Sequence, residues 1–350
     1  MKGLYLAAVE EKAGKTSLAV GLARALRARG LEVTYRKPVG WASTFREGKP
    51  FDRDAEVVAQ ALGLPEEPGE LVTLLGGEVP RAWWAPEGAW EQILALKELP
   101  AQLVLLEGRQ WVGRGLLSGL SDPALAGRLS APVILISRYQ GEASVDRILA
   151  AACLLGEGAA LAGVVLNQVS ADTELAEVRG YVVPWLEERG VPVLGVLPFE
   201  RRLRAVPVRL VVEELGAELL VEGKAEAEVE RFVVGAMGAE AARRHLSRIP
   251  GQLGVVTGGD RADIQAAALS SPRVRLLILT GGMHPGQAIL TQARDRGVTL
   301  AVVPQDTMTA AEAAEGLLGR LPLTGEGQLA LVDQLVAEGL DLERILELVG

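Results

Sequence analysis

The stretch Ala13-Gly14-Lys15-Thr16 brings together a glycine, a lysine and a hydroxyl residue in a spacing that suits a bound phosphate. Backbone amides at a helix start can cradle phosphate oxygens, Lys15 can bridge β- and γ-oxygens, and the Thr16 hydroxyl can sit on Mg²⁺. An apolar run precedes the stretch and a helix-period segment follows it, which is the context such a loop requires. The first glycine of the common pattern is absent: Val9 stands in its place, and Ala8 in that of the one-residue-longer version. Glu10 and Glu11 add two negative charges to the same loop. Like charges about 4 Å apart at an effective dielectric near 20 cost on the order of 4 kcal/mol, so either glutamate would weaken ATP binding if it faced the γ-phosphate. The alternative is that these side chains point outward while the loop amides point in.

Other chemistry-bearing residues fall where strand ends would gather them. In "YRKPVG", Lys37 stands at the end of the second expected strand, a position from which an ammonium can reach a phosphate at the carboxyl edge of a sheet. "FDRDAEVVAQALG" opens a helix with Asp52 and Asp54. In "LVLLEGRQ", Glu107 directly follows a hydrophobic strand, as a carboxylate that holds Mg²⁺ directly or through water would be carried. Asn167 in "AGVVLNQV" is the only asparagine of the chain, and its amide has the donor and acceptor fork that can pair with an adenine edge. Each has a plainer alternative: Lys37 as a solvated strand end, Asp54 as a helix cap, Glu107 as a loop carboxylate, Asn167 as a turn former.

These positions require an α/β framework to converge. Short Val, Leu and Ile runs bounded by glycine or proline alternate with helix-period segments, the signature of parallel strands with crossover helices. Strands are expected near Leu4–Val9, Glu32–Arg36, Leu103–Glu107, Val133–Ser137, Leu161–Leu166 and Val193–Leu197, with the clearest helices over Thr16–Arg29 and Asp172–Arg189, each ending at a glycine. The polar, proline-bounded "PFERRLRAVPVR" marks a boundary, dividing the chain into 1–204, 205–321 and a helical tail over 322–350. In the middle segment, strands near Leu219–Val221, Leu253–Thr257, Leu276–Thr280 and Leu300–Val303 restart the alternation. Two of them end in Thr-Gly-Gly, at 257–259 and 280–282, where backbone can approach a ligand closely. A small anionic or nucleotide ligand is expected near Asp260, Arg261, Gly281 and Gly282, against a purely structural or dimer-forming role. The tail is expected to pack on the middle segment or on a partner.

At 350 residues the chain suits about two domains, and 49% hydrophobic with 23% charged residues is a globular composition. A net charge of −9 argues against nucleic-acid binding through a basic surface. No apolar run approaches the roughly 18 residues of a membrane helix, and the apolar opening runs into Glu10, Glu11 and Lys12 without a cleavage-type segment, so a cytoplasmic protein is expected. Cys153 is the only cysteine and reads as a small core residue of a helix. With His245 and His284 as the only histidines, no His/Cys cluster has metal-ligand spacing. Trp83, Trp84 and Trp90 in "RAWWAPEGAW" are read as anchors of a loop on the core, with a substrate wall or subunit contact as the alternative.

Together these residues carry a resemblance. Residues 1 to about 200 resemble the dethiobiotin synthetase branch of the P-loop proteins, through the loop ending in "GKT", the "KPVG" strand end, the Asp54 helix, the "EG" after Glu107's strand, and "LNQV" before "GVLPF". Residues from about 208 to 318 resemble the DRTGG domain, through "VVTGGDRADIQAAAL" and "LILTGGMHPG". The pair in this order resembles the N-terminal regulatory region of long bacterial phosphotransacetylases, without their acetyltransferase domain. The resemblance implies an α/β fold: a P-loop NTPase-type, mostly parallel sheet with flanking helices, then a smaller α/β DRTGG domain. It implies ATP and Mg²⁺ as cofactors, with Ala13, Gly14, Lys15, Thr16, Ser17 and Asn167 contacting the nucleotide. It further implies Lys15 and Lys37 on the phosphates, Thr16, Asp54 and Glu107 on the metal, and a homo-oligomer. The chain differs from dethiobiotin synthetases at Arg109, Gln110 and Trp111, where those enzymes have small residues, and at Glu10 and Glu11 in the loop. A regulatory, nucleotide- or metabolite-responsive protein is the leading expectation. An ATP-dependent carboxylate-activating ligase, with Arg109 orienting an acidic substrate, and a degenerate loop kept as a scaffold are the alternatives.

Overall fold

Leu4 to Ala8 and Leu103 to Leu106 are buried to within 1%, as strands covered on both faces must be. They form the middle of a sheet in the computed structural model, which describes residues 2–41, 44–46, 49–76, 87–156, 158–170, 172–319 and 325–349. The chain divides into two units, Met1–Phe199 with Pro322–Gly350, and Glu200–Leu321.

The first unit runs β1 (Lys2–Ala8), α1 (Lys15–Arg27), β2 (Val33–Trp41), β3 (Thr44–Arg46), β4 (Lys49–Phe51), α2 (Arg53–Leu62), β5 (Val72–Gly76), α3 (Ala89–Leu94), β6 (Leu103–Glu107) and α4 (Asp122–Leu129). It continues through β7 (Val133–Arg138), α5 (Glu142–Leu155), β8 (Leu161–Val169), α6 (Asp172–Glu177), α7 (Val183–Glu187) and β9 (Val193–Pro198). Seven strands pair in parallel in the order β5-β2-β6-β1-β7-β8-β9, and β3 and β4 make a short antiparallel hairpin. The sheet winds outward in opposite directions from β1, so the crevice at its carboxyl edge opens there, in front of α1. The long helix expected over Asp172–Arg189 is interrupted by a π-helical stretch, Val178–Val182, between α6 and α7. Pro184 has no N–H to continue the α-helical ladder, and the register shifts just before it.

In the second unit, α8 (Val208–Glu214), α9 (Ala239–Arg248), α10 (Ala262–Leu269), α11 (Gln287–Arg296) and α12 (Thr307–Leu317) flank a five-stranded sheet. With β10 (Val206–Pro207), β11 (Glu218–Val221), β12 (Glu228–Val229), β13 (Arg231–Val234), β14 (Leu253–Gly258), β15 (Val274–Thr280) and β16 (Thr299–Val302) in chain order, that sheet reads β11-β16-β15-β14-β13. Only β11 is antiparallel to its neighbour.

The C-terminal helices α13 (Glu326–Gly339) and α14 (Leu342–Val349) return to the first unit. This corrects the expectation that the tail packs on the middle segment or a partner. Arg24 of α1 grips Asp333 through two hydrogen bonds of 2.7 Å, and Asp341 N–H donates to the Leu194 carbonyl oxygen of β9 at 2.8 Å. The apolar period of the tail therefore serves α1 and β9, burying Leu331, Val332, Val336, Leu342, Ile345 and Val349.

Cys153 is exposed and not in the core. The buried positions of α5 are Ser144, Ile148, Ala151 and Leu155, and a residue two places after Ala151 lies on the opposite side of the helix. Trp90 packs against the core under the Arg128 guanidinium, 4.1 Å from its ring centre, while Trp83 and Trp84 lie outside the described residues. Among the described residues no helix is long and apolar enough to cross a membrane.

Candidate functional site

The loop after β1 enters α1 at Gly14, whose φ of +96° is open to glycine at little cost. Two side chains of β8 hold this loop from one side. Asn167 Nδ2 donates to the Ala13 carbonyl oxygen at 2.8 Å, and Gln168 Nε2 to that of Lys12 at 3.1 Å. Across a trans peptide plane N–H and C=O point in opposite directions, so pinning these carbonyls turns the Ala13 and Gly14 N–H groups away from β8. Asn167 Oδ1 in turn accepts the Gln168 N–H at 2.8 Å.

Lys15, the first residue of α1, is 9% exposed and its Nζ donates to the Gln110 carbonyl oxygen at 3.3 Å. Burial pulls its pKa below the ordinary ammonium range, against the pull of Glu107 and Asp122. Thr16 Oγ1 donates to Glu107 Oε1 at 3.0 Å, and Tyr35 OH to Glu107 Oε2 at 2.9 Å. Glu107 ends β6 fully buried, and burial raises its pKa despite the ammonium groups of Lys37 and Lys15. Ser17 follows in the first turn of α1, partly exposed.

Lys37 Nζ lies 3.0 Å from Asp52 Oδ2, 2.9 Å from Asp54 Oδ2 and 3.8 Å from Glu107 Oε1. Burial alone would lower its pKa, but Asp54, Glu107 and Asp52 outweigh it and hold the ammonium charged. Asp54 is held low by Lys37 in return. Asp52 caps α2, accepting the Asp54 and Ala55 N–H groups, and also accepts the Trp41 N–H at 2.7 Å. A Cβ on Gly40 would lie 2.6 Å from Asp52 Oδ2, so this approach needs a glycine. Lys15, Thr16, Lys37, Asp54 and Glu107 are thus drawn together at one sheet edge.

Behind them, Asp122 is fully buried; its Oδ1 accepts from Tyr5 OH and the Arg109 backbone N–H, both at 2.9 Å. Burial raises Asp122 to about 6. Asp52, Asp122, Tyr5 and Tyr35 had no assigned role in the sequence reading. Tyr5 interrupts an apolar strand and Asp52 stands two residues before Asp54, which are signals that mark those two; Tyr35 lies in a mixed strand, and no local signal marks it or Asp122.

Glu10 is turned toward β7: its Oε1 accepts the Arg138 N–H at 2.6 Å, and its Oε2 lies 3.2 Å from Arg147 Nε. Glu11 is exposed. Glu10 therefore ties the loop to the end of β7 and the helix after it.

The donor set suits Mg²⁺ with nucleotide phosphates: a hydroxyl and two carboxylates, all hard oxygens. Among the described residues there is no group of three or more His, Cys, Asp or Glu side chains that could hold a metal by themselves. Mg²⁺ does not require one, since it keeps several waters and takes one or two carboxylates with substrate phosphates.

In the second unit the two Thr-Gly-Gly ends lie side by side, with Gly258 opposite Thr280. Gly281 and Gly282 both have positive φ, at 78° and 64°. Arg261 bonds Asp263 at 3.1 and 3.3 Å and the Met237 carbonyl oxygen at 3.3 Å, while Asp260 is exposed.

Comparison with known proteins follows the same division. The AAA domain model matches residues 2–206, more than half of the chain, and the DRTGG domain model matches residues 210–317. Phosphate acetyltransferase of Deinococcus radiodurans is 27% identical over 97% of this chain and 50% of its own length. Hydrogenobyrinate a,c-diamide synthase of Rhodobacter capsulatus is 31% identical over 64% of this chain and 48% of its own. ATP-dependent dethiobiotin synthetase of Caulobacter vibrioides is 30% identical over 51% of this chain and 86% of its own. The chain spans about half the length of the phosphate acetyltransferases it matches. With a P-loop at the head of a parallel sheet and a second α/β unit behind it in sequence, the chain belongs to the AAA domain family and carries a DRTGG domain after its AAA domain.

Proposed function

We propose that the first unit binds Mg-ATP and that the chain is a nucleotide-responsive regulatory protein. One observation carries the reading: Lys15, Lys37, Thr16, Asp54 and Glu107 converge at the carboxyl edge of a parallel sheet, in front of the start of α1. In this reading the N–H groups of Ala13, Gly14 and Ser17 receive phosphate oxygens and Lys15 leaves the Gln110 carbonyl for the β- and γ-oxygens. Lys37 neutralises the outer phosphate, and Thr16, Asp54 and Glu107 hold the metal directly or through water. Asn167 keeps one amide hydrogen beyond its bond to Ala13, available to an adenine edge. The metal, when bound, supplies charge neutralisation between the phosphates; the residues themselves bind, orient and exclude water. A small anionic ligand on the second unit, near Asp260, Arg261, Gly281 and Gly282, would be the metabolite sensed. The likeness to most of a dethiobiotin synthetase favours a second reading, an ATP-dependent carboxylate-activating ligase.

Calorimetric titration with Mg-ATP, with ADP release followed in the same samples, separates the readings. Lys15→Ala is expected to lose about 2 kcal/mol of binding, roughly thirtyfold in Kd, as fits one charge-assisted contact. Binding that depends on Lys15 without ADP release supports regulation. Lys15-dependent ADP release moves the assignment to a ligase, and no binding by the wild type overturns the nucleotide site.

A further inference from the structure

Arg109 directly follows the Glu107-Gly108 strand end and is half-buried. Its Nε is inaccessible and without a hydrogen-bond partner. Among the described residues its guanidinium has no ion-pair partner; only its backbone N–H is used, by Asp122. Its two terminal nitrogens each face a glycine. A Cβ on Gly76 would lie 3.8 Å from Nη2, and one on Gly115 would lie 3.2 Å from Nη1. Trp41 adjoins the same spot, its Cε3 4.0 Å from that Gly76 position, and Arg114 stacks on the Trp41 ring at 4.8 Å. The Arg114 guanidinium likewise has no hydrogen-bond or ion-pair partner among the described residues, its backbone N–H donating to the Trp111 carbonyl oxygen at 2.9 Å, and its charge bears on Arg109.

Two neighbouring guanidiniums with no ion-pair partner among the described residues are costly to keep half out of water. Asp122, the acid whose charge reaches Arg109, has Oδ1 committed to Tyr5 and to backbone, and among the described residues no hydrogen bond or ion pair joins it to the guanidinium. A planar guanidinium fork matches a carboxylate or phosphate through two parallel hydrogen bonds. β2, β5 and β6 are neighbours in the sheet, and Trp41, Gly76 and Glu107 are their last residues. The pair therefore stands at the same carboxyl edge as Lys15.

We propose that Arg109 and Arg114 form an oxyanion subsite beside the nucleotide site, taking the carboxylate or phosphate of a small metabolite. The subsite goes beyond the nucleotide reading and does not need a bound nucleotide. The test is calorimetry of the full chain with succinate and, separately, with inorganic phosphate, on wild type, Lys15→Ala, Arg109→Gln and Arg114→Gln. At least one anion is expected to bind wild type and Lys15→Ala alike and to bind each arginine variant about tenfold more weakly, the loss of one charge-assisted contact. Succinate alone binding identifies a carboxylate ligand, and phosphate alone a phosphoryl one. Arg109→Lys, which keeps the charge and loses the fork, is expected to recover only part of the affinity. Circular dichroism checks that each variant is folded, and Arg114→Gln, on a partly exposed side chain, carries the test if Arg109→Gln is not. Binding lost in Lys15→Ala but kept in both arginine variants puts the anion on the phosphate loop and overturns the proposal, as does no binding of either anion to wild type.

Discussion

Asp122 is a carboxylate with no exposed surface, and its Oδ2 has no hydrogen-bond partner among the described residues. Burial lifts its pKa from the ordinary 3.8 to about 6. Between those values the folded chain holds more protons at this site than the unfolded chain, so the contribution of Asp122 to stability falls as pH rises from about 4 to about 6 and stays low above. A shift of this size corresponds to about 3 kcal/mol, an upper figure for a single buried site. Asparagine keeps an oxygen for Tyr5 OH and the Arg109 N–H while removing the charge. Asp122→Asn is therefore expected to be more stable than wild type at pH 8, with the difference shrinking toward pH 4.5; urea unfolding at both values measures it. A constant difference across that range would show that Asp122 does not titrate in the folded chain. Asp122 opens a helix in "SDPALAG", where an acid reads as an ordinary first-turn residue. Lys15, Lys37, Asp54 and Glu107 stood out because a local pattern marks each of them. Asp122 and Tyr5, separated by 117 residues, meet only through the sheet order, which no local pattern carries.

At the scale of elements, α1 is held between the sheet and α13. A Cβ on Gly21 would come within 2.6 Å of both Val332 Cγ1 and Val336 Cγ2. Alanine in a helix interior gains up to about 1 kcal/mol over glycine, but forcing a methyl into a close-packed contact costs about 1–3 kcal/mol. Gly21→Ala is therefore expected to destabilise the chain by about 1 kcal/mol net, read as a lower urea midpoint at unchanged slope. A raised midpoint would mean that α13 does not seat on α1 in solution. The strands legible in the sequence were those buried on both faces, such as Leu103–Glu107, where the apolar run is continuous. β5 was not legible: its residues are partly exposed and its run stops at Gly76-Gly77, which reads as a loop. The π-helical stretch was equally hidden, because Gly180 and Pro184 interrupt a pattern that otherwise has helical period throughout. The partner of the tail could not be read either, since amphipathic period says that a face is buried and not against what.

For the whole molecule, chain order and compact units disagree, because Glu200–Leu321 is an insertion between β9 and the two helices that complete the first unit. The inserted unit is continuous and of the size at which single domains commonly fold alone, about 100–150 residues. The first unit is not continuous. Without α13 and α14 it loses six buried side chains, Leu331, Val332, Val336, Leu342, Ile345 and Val349. At about 1.5–3 kcal/mol each, their burial is on the order of 10 kcal/mol, as large as the whole stability of an ordinary domain. The half-exposed Arg24–Asp333 pair adds only about 0.5 kcal/mol after solvent screening. Fragment 200–321 is expected to unfold in urea as one cooperative transition, whereas fragment 1–199 is expected to lack one. Joining 199 to 322 through about ten Gly/Ser residues, enough for a flexible linker to span roughly 20 Å, is expected to restore cooperative unfolding to the first unit. If 1–199 alone unfolds at the same midpoint as the joined chain, the C-terminal helices contribute nothing to the unit, and the insertion is only an accident of chain order.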